Sequence, residues 1–338
     1  MMYITPEFLK ELEDKLPRTS LMVVGDCILD RYFFGEVSRI SPEAPVPVFD
    51  LKLIKYRLGG AANVAANIKG LLANVCLMGV VGNDDKGEIL KVLAERKGIN
   101  TEAVLSDENR PTIIKTRIIA QSQQLLRIDR EEKKELSYEL KEAFKKTFLE
   151  ILPRVKGVIL SDYAKGMFLD SEFTKWLIKE AKKSNKEVFI DPKTDDWSKY
   201  ESATVITPNL KEFKEVLKRE GMENFSMEEA SQRLIDKYGL KFLVVTLGKE
   251  GMFVYHPEEG SLKLPAYAKE VYDVSGAGDT VIASFSTFFC CGAELFQALE
   301  LANIAAGIVV GKVGTHPVAW EEIKDFVEEN MAKEVYHG

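Results

Sequence analysis

The stretch DVSGAGDT, residues 273–280, sets two glycines beside a carboxylate and runs into an apolar segment, VIASFSTFF. A glycine turn that opens a helix presents backbone N–H groups to an anion. Asp279, next to that turn, could accept a proton from an attacking hydroxyl. The same residues also suit an ordinary helix start. Six other tracts have related chemistry. GGAANVAANIKGLLA (59–73) has apolar residues at 64, 65, 68, 71 and 72, one helical face, behind two glycines. Those glycines either admit a ligand to the backbone or begin an Ala-rich helix packed on a sheet. GDCILD (25–30) places Asp30 after an apolar run, where it could bond two sugar hydroxyls or cap a turn. SDYAKG (161–166) and DPK (191–193) also follow apolar runs. In TPNLKE (207–212), Asn209 and Glu212 share a helix face. They could orient a hydrated Mg²⁺ beside phosphates, or form a capping pair that needs no ligand. VTLGKEG (245–251) either lines a nucleotide pocket or turns a hairpin.

These tracts supply an anion site, a proton acceptor, a metal-orienting pair and a carboxylate for hydroxyls. Phosphoryl transfer needs such positioning and charge neutralisation. The usual nucleotide loops are absent. Neither GxxxxGK[ST] nor GxGxxG occurs, and GIVVGKV (307–313) has the wrong spacing.

The elements that must hold these residues follow from apolar patterning. Runs at 21–27, 75–81, 157–162, 187–191, 204–207 and 242–247 are short, apolar and bounded by Gly, Asp, Asn or Pro, as buried parallel strands are. Helical patterns at 86–97, 137–150, 171–184 and 226–238 alternate with them, and 277–291, 294–310 and 319–330 close the chain as helices. This predicts an α/β fold with a doubly wound central sheet. Segments 45–58 and 111–130 break the rhythm. They are extended and partly alternating, and predict a small separate β-sheet, a lid or a pair of edge hairpins.

Composition narrows the function. With 46% hydrophobic residues, the 338-residue chain can bury a large core as one single domain, with lid strands inserted at about 31–58 and 108–130. The net charge of −7 gives no general attraction to nucleic acid or an anionic membrane. No apolar run is long enough to span a bilayer, and the start is a charged amphipathic stretch rather than a leader. Cys27, Cys76, Cys290 and Cys291 form no CxxC pair and predict free thiols in a reducing, cytoplasmic setting. His256, His316 and His337 are too scattered to predict a histidine metal site.

GGAANVA, TPNLKE and DVSGAGDT, in this order, resemble the signatures of the ribokinase-like (PfkB) sugar kinases, over about residues 20–325. That resemblance implies Asp279 as catalytic base and Gly276, Ala277 and Gly278 as its anion hole. It implies Asn209 and Glu212 for phosphate and, through water, Mg²⁺. It implies Thr246, Gly248, Gly251 and Asn303 for ATP, and Asp30, Gly59, Gly60 and Asn63 for the sugar. Many members have Thr where this chain has Val274, which puts the role of that one side chain in doubt. GDCILDRYFFGEVSRISPEAPVPVFD, SQQLLRIDRE and LSDYAKG further resemble the heptose 7-phosphate kinase branch, which serves ADP-heptose and lipopolysaccharide core synthesis. The implied reaction is phosphorylation of the anomeric 1-hydroxyl of D-glycero-D-manno-heptose 7-phosphate by ATP. Another sugar, or binding without turnover, are the rival readings. Arg31, Arg117, Arg127 and Lys193 are the candidate cations for the substrate's own phosphate. No HxGH signature of an adenylyl-transferring partner occurs, so that step is expected on a separate polypeptide. A homodimer through the lid and a monovalent cation complete the expectations, with Asp273 shaping the turn or assisting that cation.

Overall fold

The computed structural model describes residues 4–267, 274–312, 314 and 316–337. Asp273 and the expected cation site beside it lie outside the described residues. The chain runs α1 (Pro6–Lys15), β1 (Ser20–Gly25), β2 (Cys27–Ile40), β3 (Pro47–Gly60), α2 (Ala61–Gly70), β4 (Asn74–Gly82), α3 (Asp85–Arg96) and β5 (Asn100–Asp107). It continues with β6 (Ile113–Ala120), β7 (Gln123–Arg130), α4 (Tyr138–Ile151), β8 (Gly157–Ser161), α5 (Ser171–Lys183), β9 (Glu187–Asp191), β10 (Val205–Ile206), α6 (Leu210–Glu220) and α7 (Met227–Tyr238). It ends with β11 (Phe242–Thr246), β12 (Met252–His256), β13 (Gly260–Leu264), α8 (Ala277–Cys291), α9 (Leu295–Val310) and α10 (Trp320–His337).

Nine strands form the central sheet in the order β13-β12-β11-β10-β9-β8-β1-β4-β5. Strands β11 to β5 along that order pair in parallel, while β12 and β13 add an antiparallel edge. Alternation along β1 divides the core. Leu21 and Val23 pack with α2, α8 and α9 on one face, and Met22 and Val24 with α4 to α7 on the other. A strand buried on both faces must be apolar throughout, which is why 21–25 reads as an unbroken run. β5 lacks that signal because only Ala103, Val104 and Asp107 are buried at this sheet edge.

The second sheet has the order β3-β2-β6-β7, with β2 and β6 parallel and both outer pairs antiparallel. It is the separate sheet expected from 45–58 and 111–130. Its start is earlier than expected. β1 stops at Gly25, and Cys27 already pairs with Gly60 in the lid. Asp30 therefore stands four residues into a lid strand, not at the end of the first core strand. Among the described residues, no helix is long and apolar enough to cross a membrane.

The order of the sheet decides where chemistry can sit. β1 lies between β8 and β4, the point where successive connections diverge. Ligands of open α/β sheets bind at such a point, beyond the carboxyl ends of the strands. Asp26, Asp162, Asp191, Thr207 and Thr246 stand at or just past the carboxyl ends of β1, β8, β9, β10 and β11.

Candidate active site

Asp279 occupies the first turn of α8 and is buried. Gly276, with φ of 82°, takes the left-handed conformation that opens the helix. Asn63, three residues into α2, donates from Nδ2 to Asp279 Oδ2 at 2.7 Å. The Tyr163 hydroxyl donates to Asp279 Oδ1. Burial raises the Asp279 carboxyl to about 6, against these two donors, which favour its ionised form. The helices are aligned by one shared acceptor. Asn67 Oδ1 accepts from Thr280 Oγ1 (3.1 Å) and from Val318 N (3.0 Å), fixing α2 against α8 one turn below the Asn63–Asp279 contact.

Asp26 sets the loop that carries Tyr163. Its carboxylate accepts from the backbone N–H groups of Tyr163 (3.2 Å), Lys165 (3.0 Å) and Met167 (3.0 Å). Its carbonyl accepts from Ala61 N at 3.1 Å, so the same residue anchors the start of α2. Behind the loop, Asp162 accepts from Lys199 Nζ and Tyr200 Oη, both at 2.6 Å. Tyr163, Asp26 and Asp191 fall in the tracts SDYAKG, GDCILD and DPK but were assigned no role from sequence, and Lys115 was not singled out. Their one signal was position, since Asp26, Tyr163 and Asp191 follow strand ends. The Asp191 carboxyl is pushed well above its ordinary value by burial and by the nearby Asp279 and Glu212. Lys115, on β6, holds its ammonium 5.3 Å from the Tyr163 ring centre, and burial lowers its pKa.

Two cavities meet beside this carboxylate, at Thr246 and Gly278. One, about 150 Å³, is lined by Asp191, Lys193, Asn209, Glu212, Gly276 and Asp279 among others. The other, about 200 Å³ and mostly apolar, is lined by Gly248, Gly251, Tyr267, Val281, Asn303 and Ala306 among others. Thr246 and Gly278 belong to both, so the polar and apolar chambers are continuous. A Cβ on Gly278 would meet no atom within 4 Å, because the space beside it is the cleft. Ala277 contributes less than expected, since its N–H is already donated to Val274 O at 3.2 Å. Two of the tracts are at once a turn or cap and part of a cavity wall. Gly248 and Gly251 turn the β11–β12 hairpin and also line the apolar chamber. Asn209 and Glu212 close a capping box at 3.0 Å in each direction and also line the polar chamber. Glu212 Oε1 further accepts from Lys193 Nζ at 3.1 Å. Asn303 lies in the wall and donates to Pro265 O at 2.7 Å. A wider groove along α6, lined by Lys211, Phe213, Lys214 and Met227, carries none of these groups.

Strand alternation sorts the lid cations. Asp30, Tyr32, Lys115 and Arg117 share the face toward Asp279, and Asp30 Oδ1 accepts from Arg117 Nη1 at 2.5 Å. Gly59 makes this possible, because a Cβ there would lie 2.6 Å from Asp30 Oδ2. Gly60, with φ of 57°, would bring a Cβ within 2.5 Å of Asp26 O. Arg127 is on the cleft-facing side of β7 and bonds Asp129 at 3.0 Å. Arg31 differs from expectation. It bonds Thr116 at 3.0 Å and covers the Phe33 ring on the opposite lid face, one residue out of phase with Asp30.

A profile described as pfkB family carbohydrate kinase matches residues 18–322. Bifunctional protein HldE of Desulfatibacillum aliphaticivorans is 44% identical over 304 residues, 90% of this chain and 62% of that protein. Bifunctional protein HldE of Campylobacter jejuni subsp. doylei is 42% identical over 330 residues, 97% of this chain and 68% of that protein. The chain thus spans about two thirds of the length of these relatives. Among solved structures, Arabidopsis thaliana ribokinase complexed with ribose and ATP superposes with a TM-score of 0.70 at 23% identity, over 91% of this chain and 98% of that one. Phosphofructokinase-2 from Escherichia coli gives 0.74 at 18% identity, over 91% and 97%. At those identities the likeness is one of fold.

Proposed function

Since the chain belongs to the pfkB family of carbohydrate kinases, we propose that it transfers the γ-phosphoryl group of ATP to the anomeric 1-hydroxyl of D-glycero-D-manno-heptose 7-phosphate. The products are the 1,7-bisphosphate and ADP. The observation that carries this reading is the Asp279 carboxylate, gripped by Asn63 and Tyr163 where the two-chambered cleft meets the lid. The heptose branch is supported by the 40–45% identity to HldE proteins.

Asp279 takes the hydroxyl proton as the new O–P bond forms and the bond to the β,γ-bridging oxygen breaks. Asn63 and Tyr163 orient the carboxylate and keep it ionised near neutral pH. The Gly278 amide, at the positive end of α8, meets the charge of the transferring group. The apolar chamber with Asn303 and Tyr267 suits a base, and the polar chamber suits phosphates. Asn209 and Glu212 would hold Mg²⁺ through water from the wall of the polar chamber, where Asn209 Oδ1 accepts from Glu212 N and the two Glu212 oxygens accept from Asn209 N and Lys193 Nζ. That ion supplies charge neutralisation across the phosphates. Asp30 and Lys115 face the sugar from the lid.

The assignment extends to the assembly. A homodimer through the lid is supported by its outer face, where Ile54, Leu126 and Ile128 are 42%, 54% and 48% exposed. Isolated surface Leu or Ile is ordinary, but a sheet face of them calls for cover. The test of function is a kinase assay with heptose 7-phosphate, ribose, fructose 6-phosphate and no sugar, the product's phosphate position read by NMR. Turnover of heptose 7-phosphate at C1 is expected. Preference for another acceptor, or tight sugar-phosphate binding without ADP release, refutes the assignment.

A further inference from the structure

The loop after β8 carries Tyr163, and it is held from two directions. On the side of the central sheet, the Asp26 carboxylate accepts from the N–H groups of Tyr163, Lys165 and Met167. Asp162 Oδ1 accepts from Ala164 N at 2.6 Å, and Ala164 takes a φ of 54°, a tight left-handed turn for a residue with a Cβ. On the other side, two lid residues reach the loop. Glu131, directly after β7, accepts from Lys165 Nζ. Lys115, on β6, stands with its ammonium 5.3 Å from the Tyr163 ring centre.

Lys115 has no carboxylate paired with it among the described residues. Its neighbour in the β2–β6 register is Asp30, whose Oδ1 accepts from Arg117. Asp30 and Asp129 act on Lys115 through space, while Lys165 and Arg127 oppose its charge. A half-buried ammonium needs a favourable field, and two are at hand. One is the π face of Tyr163, which attracts a cation. The other is the carboxylate of Asp279, which the Tyr163 hydroxyl meets at the far end of the ring. A cation on that ring polarises the phenol and makes its O–H a stronger donor.

Much of what surrounds Asp279 is adverse to its charge. Asn63 of α2 and Tyr163 donate to it, whereas burial, Asp30 of β2 and Asp191 at the end of β9 disfavour its ionised form. Lys115 acts in the opposite sense. We infer that Lys115 is a positioning residue for proton transfer: the lid seats its ammonium on the Tyr163 ring, which aims the Tyr163 hydroxyl at Asp279 and sets a positive charge beside the base. This rests on the reading of Asp279 as the base of a sugar kinase. Base and lid thereby form one unit, in which ionisation of Asp279 depends on a side chain from the sheet that also covers the acceptor.

The experiment reads the base directly. In ligand-free protein isotope-labelled at the aspartate carboxyls, the Asp279 NMR resonance is identified by its absence from Asp279→Asn and followed against pH. Lys115→Met is expected to raise its midpoint by about one unit, the low end of what a neighbouring opposite charge does, and Lys115→Arg to leave it near the unaltered value. The acid limb of kcat at saturating sugar phosphate moves in the same direction. In a Tyr163→Phe background the same replacement moves the midpoint less, because no hydroxyl remains to be aimed. Met keeps the apolar stem of Lys115, and should that variant not fold, Lys115→Gln gives the same comparison. A midpoint that stays in place, or that moves equally with and without the Tyr163 hydroxyl, overturns the inference. If Lys115→Met raises the sugar KM and leaves the midpoint unmoved, Lys115 is a sugar contact and the kinase reading stands. If the unaltered protein phosphorylates none of the sugars offered, the kinase reading falls and the inference with it.

Discussion

Replacing Tyr163 by Phe removes one donor from the Asp279 carboxylate and almost nothing else. The hydroxyl donates to Oδ1, while Asn63 holds Oδ2. Burial raises the carboxyl and the two donors lower it, leaving it at about 6. A donor favours the ionised form, so its loss moves the pKa upward. A hydrogen bond to a charged group contributes about 1.5–3 kcal/mol, which corresponds to roughly 1–2 pKa units. At the lower bound the carboxyl moves from about 6 to about 7. At pH 6.5 the ionised fraction then falls from roughly three quarters to roughly one quarter, a loss of about threefold. Above about pH 8.5 both proteins are ionised, and the difference narrows. The assay is kcat/KM against pH for both proteins on the same sugar phosphate. The acceptor's own phosphate titrates near about 6 and contributes to the acid limb, but equally in both, so only the difference is read. An acid limb that stays in place, or moves to lower pH, refutes the role of Tyr163 as a donor to the base. Asn63→Ala should shift the limb in the same direction.

Asp279→Asn should reduce kcat by about 10²- to 10⁴-fold, the usual contribution of a general base, and full phosphotransfer activity in that variant would remove the assignment. Gly59→Ala places a methyl group 2.6 Å from Asp30 Oδ2 and should displace the Asp30–Arg117 pair. A rise in sugar KM of about tenfold, with ATP KM little changed, is the expected steady-state result. Gly60→Ala forces a side chain into a φ of 57° and against Asp26 O, and thermal unfolding should show about 1–3 kcal/mol of destabilisation. Leu126→Lys with Ile128→Lys should convert a lid dimer to monomer in sedimentation at micromolar concentration, and an unchanged dimer would place the interface elsewhere.

The sequence by itself determined the central sheet, the separate small sheet and the order of the tracts that meet in the cleft. The core strands were legible because a strand buried on both faces is apolar at every position, as 21–25 is. The lid was legible because one face is polar and the other apolar. β5 and β13 escaped because strands at the two edges of the sheet bury too little to impose a pattern. Asn209 and Glu212 read equally as capping box and ligand from sequence, and the structure shows the capping box in the wall of the polar chamber. What only tertiary structure decided is which groups face which. Arg31 and Asp30 are adjacent in sequence yet lie on opposite faces of a strand. Tyr163 is 116 residues from Asp279 and reaches it because Asp26 folds the loop after β8 back over the first strand. Lys115, Tyr163 and Asp279 share no motif or spacing, and only the packing of a lid strand, the loop after β8 and the first turn of α8 sets them side by side. A short motif records contacts made along the chain, whereas charge collected from distant segments has no local pattern to record it.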